Sequence, residues 1–371
     1  MAVSMENGHT QFGEEDDEVF YTQDRPQHSH SSERPRNVSR EDSRVKTIDR
    51  YGFLIDSQYI KCGLSQAVPK DVAQKREKKW LEMIYNWDFW MSKRFATVRK
   101  RCRKGIPESL RGRAWQYLSC AHKLQEDNKK MFKIYLTQRI ASKQEIEIKN
   151  DLHRTFPNHG MFAEDGGLGQ KHLYEVLRAY IAYNPKEGFC QAHAPVASVL
   201  LMHLPQEQAF WCLVAMLQDY LPNYYSGQLE EVAKDGVILL KLLKTVHPKL
   251  HKRLKEAHID SVMFMVEWFM CLYSRDLPWP SVLRIWDIFF CEGVKILFRI
   301  ALVLLKHCTA HLPKVPREEY ELLACLKTKN MPPAILEADF LIEEAYRLPI
   351  KDRDLMKEHK KLEKRSSQKK R

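Results

Sequence analysis

Three short patterns in the sequence carry side chains able to do chemistry. The first is Ile148-x-x-Asp151-x-x-Arg154. On a helix, residues three apart are neighbours, so the Asp151 carboxylate can hold the Arg154 guanidinium in one orientation. The second is Gly188-Phe189-Cys190-Gln191, which follows the Asn184-Pro185 break. A glutamine on such a turn can present its amide outward as both donor and acceptor. The third is Arg284-Ile285-Trp286-Asp287, followed by Phe289, Phe290, Glu292 and Gly293. Its aromatic content reads as core, with Arg284 and Asp287 expected to pair with each other or to cap a helix. Alone, the first pattern is an ordinary ion pair and the second a solvated loop amide; exposed pairs contribute only about 0–1 kcal/mol.

Other tempting patterns fall away. Gly166-Gly167-Leu168-Gly169 resembles a phosphate cradle, but no strand precedes it and no Gly-Lys-Ser/Thr follows. Cys190 and His193 could be read as a thiol and its base, yet chain proximity alone accounts for their spacing. The 15 histidines show no His-Glu-x-x-His or comparable ligand spacing. The nine cysteines are scattered without a Cys-x-x-Cys pair, which speaks against zinc and redox motifs. They read as buried thiols in a reducing compartment.

The elements that must position these residues read as helices punctuated by proline. Apolar residues recur at helical spacing around Val72–Phe95, then in Ser109–Ala121, Ile146–Thr155, Gln170–Tyr183, Gln191–Leu204 and Pro205–Tyr220. Lys234–Thr245, Val262–Ser274, Ser281–Phe290, Lys295–Leu312 and Pro332–Tyr346 complete the set. Val262–Tyr273 is apolar nearly all round, as a central buried helix would be. No sustained period-2 alternation occurs. The expected class is all-α: one large multi-helix domain between disordered tails.

Residues 1–45 are rich in Ser, Arg, Asp, Glu, His and Pro and cannot bury enough apolar surface to offset their ordering entropy. A helical extension with a basic segment is expected over 46–104, the main domain over 105–312, packing helices over 313–350 and a basic disordered tail over 351–371. The net charge of +12 sits at the edges: Asp71–Lys104 holds eleven Lys/Arg against four Asp/Glu, and Lys351–Arg371 ten against four. A basic fringe on a neutral body suits contact with an anionic membrane surface better than nucleic-acid reading, which needs a basic recognition element. The start of the chain shows no apolar signal stretch, and no run reaches the ~18 apolar residues of a membrane span. A cytoplasmic protein is expected, peripheral at most at plasma-membrane or vesicle surfaces.

Taken in order, the patterns resemble the TBC domain, the catalytic module of GTPase-activating proteins for Rab GTPases. Lys104-Gly105-Ile106-Pro107 through Leu110-Arg111 and Trp115 is similar to the family's opening signature. Ile148, Asp151 and Arg154 match its Ile-x-x-Asp-x-x-Arg motif, Gly188–Gln191 falls at its Tyr-x-Gln, and Arg284–Gly293 matches its Arg-Ile-Trp-Asp segment. Asp49-Arg50-Tyr51-Gly52-Phe53 and Gln191-Ala192-His193-Ala194-Pro195 look most like the family-member-10 subgroup, which works in membrane traffic. The resemblance implies two catalytic fingers, Arg154 and Gln191, offered to a GTP-bound Rab. Asp151, Ile148 and Phe189 would support the fingers; Arg111, Trp115, Arg284, Trp286 and Asp287 would be structural. GTP and Mg²⁺ would be carried by the partner, so the chain needs no cofactor of its own. Phe189 stands where the family has tyrosine, and Ala192 where many members have glycine. The Phe189 departure leaves open a second reading, a Rab-binding or trafficking scaffold without catalysis.

Overall fold

The computed structural model describes residues 47–55, 68–310, 312, 314–316 and 318–369. The amino-terminal tail expected over 1–45 lies outside them. Nearly everything described is helical. The basic segment forms α1 (Lys70–Tyr85), α2 (Trp87–Lys93) and α3 (Phe95–Arg103), anchored through buried Trp80, Met83, Trp87, Val98 and Cys102. Pro107 precedes α4 (Glu108–Leu118), and α5 (Ala121–Asp127) and α6 (Met131–Thr137) follow. The candidate residues lie on or next to α7 (Ser142–Leu152), α8 (Leu168–Tyr183) and α9 (His193–Leu201). Beyond them come α10 (Gln206–Ala215), α11 (Glu230–Val246), α12 (Pro248–Glu256) and the short α13 (Val262–Met265). Next are α14 (Trp279–Glu292), α15 (Lys295–His307), α16 (Glu319–Leu326), α17 (Ala338–Arg347) and α18 (Asp352–Lys369).

The core centres on helices that are buried on nearly every face. Every residue of α9 is buried, as are Ile296–Leu305 of α15, the composition expected of helices surrounded by other helices. Trp115, Trp286 and Phe290 pack together, with ring centroids 5.5 Å and 5.3 Å from Trp115. A buried carboxylate joins distant parts of the chain. Asp287, fully buried, accepts hydrogen bonds from the Ile106 amide (2.7 Å), Trp115 Nε1 (2.9 Å) and Arg111 Nε (3.2 Å). Burial raises its pKa and these partners lower it.

This overturns the expected pairing of Arg284 with Asp287. Asp287 faces inward, whereas Arg284 lies at the helix margin, donating to the Arg103 carbonyl (3.2 Å) and to Asp339 (3.1 Å). Gly105 makes the turn that lets these motifs meet: its φ is +92°, and a Cβ there would lie 2.8 Å from Arg284 Nε.

Three further expectations change. Val262–Tyr273 is not one helix: α13 is followed by a wider turn, Val266–Met270, and Leu272 and Tyr273 take positive φ. The break lets the Leu272 carbonyl accept from Trp286 Nε1 (3.1 Å) and lets the Tyr273 hydroxyl donate to the Leu297 carbonyl (2.8 Å). A small hairpin also forms, with Thr47–Ile48 antiparallel to Leu54–Ile55; strands of two residues leave no alternation to detect. Finally, the segment read as a basic disordered tail over 351–371 carries α18. Leu355 is buried, and Glu358 and His359 reach Lys241 and Asp235 of α11, both at 3.3 Å. A few well-spaced contacts on one face hold a helix whose composition is otherwise charged. No helix of the described residues is long and apolar enough to cross a membrane.

Candidate functional site

Arg154 and Gln191 line one open cleft of about 650 Å³, together with Asp49, Phe53, Ser274, Arg275 and Trp279. Arg154 follows the end of α7. That helix is pinned by Ile148, which is fully buried, and by Asp151, 3% exposed. It ends at Leu152 rather than continuing to Thr155 as the spacing suggested. Arg154 therefore sits on the turn, with its side chain 51% exposed, while its guanidinium still reaches Asp151. Thr155 closes the turn through its hydroxyl to the Asp151 carbonyl, 2.6 Å. The second oxygen of Asp151 is buried without a partner. Burial pushes the carboxyl up, and the neighbouring guanidinium opposes that shift.

The loop after Arg154 is held from outside the central motifs. The Leu54 amide donates to the Asn158 carbonyl (2.7 Å), and the Gly160 amide to the Gly52 carbonyl (2.8 Å). His159 Nε2 lies 2.9 Å from the Tyr51 carbonyl. Within the hairpin, Asp49 accepts from the Tyr51 and Phe53 amides at 2.8 Å and 2.9 Å, fixing a tight turn. Phe53 then packs edge-on to Trp279, centroids 5.0 Å apart.

Gln191 is exposed on the turn joining α8 to α9. Two contacts bring that turn beside α7. Gly188, at φ +69°, lies so close to Gln144 of α7 that a Cβ would come within 2.4 Å of its amide nitrogen. Tyr174 of α8 donates to Glu145 of α7 at 2.7 Å. Phe189 is half-buried against His193, centroids 6.2 Å apart. Cys190 and His193 do meet, but through the Cys190 amide, which donates to His193 Nδ1 at 3.1 Å. Burial pushes the Cys190 thiol up, away from nucleophilic character.

Arg111, Trp115, Trp286 and Asp287 all belong to the core lock, and Arg284 flanks it. Sequence reasoning missed Arg275, Glu187 and the cleft-lining role of the hairpin. No local spacing marks any of these. Among the described residues, no group of three or more His, Cys, Asp or Glu side chains is gathered to hold a metal ion.

The fold and cleft thus define an almost wholly helical protein in which an exposed arginine and an exposed glutamine line one open cleft. Residues 108–313 match the Rab-GTPase-TBC domain, and the chain belongs to that family. It is 51% identical over 308 residues to mouse TBC1 domain family member 10B, covering 82% of this chain and 38% of that protein. To mouse TBC1 domain family member 10A it is 49% identical over 317 residues, covering 85% of this chain and 63% of that protein. The member-10 resemblance therefore holds, and the chain spans less than two thirds of either relative's length. The crystal structure of the Chlamydomonas flagellar RabGAP TBC domain superposes with a TM-score of 0.62 at 26% identity, covering 81% of this chain and 99% of that one.

Proposed function

We propose that this chain is a GTPase-activating protein that accelerates GTP hydrolysis by a GTP-bound Rab-family GTPase. The observation that carries the reading is that Arg154 and Gln191, from separate elements, open into one cleft. Phosphoryl transfer spreads charge over the equatorial oxygens of the leaving phosphoryl group. Arg154, half exposed and oriented by Asp151 through one guanidinium nitrogen, enters the partner's nucleotide pocket and stabilises that charge. A planar guanidinium suits this role because it makes paired hydrogen bonds to phosphate. Gln191 orients the attacking water, its amide accepting from the water while donating toward the nucleotide. Guanine nucleotide and Mg²⁺ arrive with the GTPase. The chain works in the cytoplasm at membrane surfaces, which the basic residues of α1–α3 approach.

Multiple-turnover hydrolysis across a panel of Rab GTPases tests the proposal. Arg154→Ala should lower the stimulated rate by about 10³–10⁵-fold on whichever Rab the wild type activates. Arg154→Lys should not rescue, because a point charge lacks the fork. A loss under about threefold would remove Arg154 from the role. Capture of GTP-loaded Rab with hydrolysis unchanged by the wild-type chain would instead establish a binding scaffold.

A further inference from the structure

The turn that carries Gln191 has little of its own to hold it. Gly188 sits at φ +69°, and the backbone supplies isolated turn bonds, such as those from the Gly188 amide to the Asn184 carbonyl (3.2 Å) and from the Ala194 amide to the Gln191 carbonyl (3.3 Å). A buried side-chain relay supplies the missing constraint. His193, the first residue of α9, is 1% exposed. Its Nδ1 accepts the Cys190 amide at 3.1 Å, while its own amide donates to the Cys190 carbonyl at 2.9 Å. These reciprocal bonds close a ring around Cys190, Gln191 and Ala192. The imidazole reaches back to the amide three residues earlier, as the N3 side chain of a capping box does, although His193 is itself the first residue of the helix and the return bond is made by its backbone.

Because Nδ1 accepts, the ring proton must sit on Nε2. Nε2 faces Glu187 Oε1 at 3.2 Å, and that same oxygen accepts from the Tyr180 hydroxyl at 2.9 Å. Tyr225 lies over the imidazole, centroids 4.6 Å apart, and Tyr180 meets it edge-on at 5.1 Å. Burial pushes the imidazole pKa down against the pull of Glu187, which keeps the ring neutral, and Glu187 at Nε2 favours the tautomer whose Nδ1 accepts. Tyr180 lies in the last turn of α8 and Tyr225 comes from the segment before α11, so the relay ties the turn to two independent parts of the core.

We infer that His193 is a positioning residue for Gln191, with Glu187 and Tyr180 fixing its tautomer and orientation. The inference rests on the two-finger reading above. It also explains how the turn can hold its shape with Phe189 in place of tyrosine: the bracing bonds run through residue 193.

Steady-state kinetics of stimulated hydrolysis test it on a Rab that the chain activates. His193→Leu should lower kcat by about tenfold or more with KM for the GTPase held within about twofold, since a misplaced group loses rate rather than binding. His193→Gln should recover kcat to within about threefold, because its amide can accept from Cys190 and donate to Glu187. In a Gln191→Ala background, His193→Leu should cost less than about twofold. The inference is overturned if kcat is unchanged, if only KM rises, if the glutamine variant falls as far as the leucine one, or if the loss is the same in both backgrounds. Should Gln191→Ala itself hydrolyse like wild type, the glutamine reading fails, separately from any result at 193. If His193→Leu does not fold, as judged by thermal melting, Glu187→Met takes its place. That variant frees the imidazole to change tautomer, and the same split and background comparison apply.

Discussion

Asp151 illustrates how a single buried carboxylate can set the behaviour of an exposed cation. One of its oxygens holds the Arg154 guanidinium and the other is buried with no partner. A buried carboxylate so placed depends on Arg154 for compensation, and Arg154 depends on it for direction. Asp151→Ala should therefore leave a competent but wandering guanidinium. The stimulated kcat should drop by about 10–100-fold, clearly less than for Arg154→Ala. Stopped-flow phosphate release on one Rab would compare the two; equal losses would mean that Asp151 does more than orient. The three-residue spacing made this pair legible in the sequence. The position of the helix end did not show there, since an i, i+3 contact survives when the last residue turns off the helix.

Between elements, the decisive contacts join α7, the turn before α9 and the 47–55 hairpin. The hairpin lies outside the stretch that matches the family domain, yet it holds the loop after Arg154 through two backbone bonds and His159. Gly52 is the tightest point of that junction. Its φ is +92°, and a Cβ would sit 2.7 Å from His159 Nε2. Gly52→Ala should cost about 1–3 kcal/mol locally and raise amide exchange in 156–160. Hydrogen-exchange mass spectrometry would locate the change; uniform exchange there would show that the hairpin is not a clamp. Two-residue strands leave no periodic signal, so composition could not reveal this element. The apolar run Val262–Tyr273 misled in the opposite sense. Its helical pattern is real, but bonds from Trp286 and to Leu297 stop the helix short.

For the molecule as a whole, burial of titratable groups ties stability to pH. His159, His193 and His203 are held below the ordinary imidazole range by burial, His203 down to about 3. In the unfolded chain these rings take up protons below about pH 6.5, whereas the folded protein resists doing so. The unfolded state then binds more protons, so stability rises with pH through this range. Asp235 and Asp276, pushed up to about 6, act in the opposite direction as pH rises toward 6. Above pH 6 their opposition fades. The urea midpoint should therefore climb between pH 6 and 7 and then level. A flat or falling midpoint over that interval would show that these histidines are hydrated in the folded state.

What the sequence determined by itself was local in origin. Proline breaks, helical periodicity and the order of four motifs established an all-helical chain of the TBC family, because each of these signals resides in residues close together along the chain. The tertiary structure decided which of those residues meet. It gave Asp287 to Arg111, Trp115 and the Ile106 amide instead of to Arg284, and it carried Gln191 into the cleft of Arg154. It also made His193, in the sequence only a neighbour of Cys190, the centre of a buried relay. Such outcomes depend on which faces of distant helices pack together and on which polar groups lose water when they do, and neither quantity is written in any short stretch of sequence.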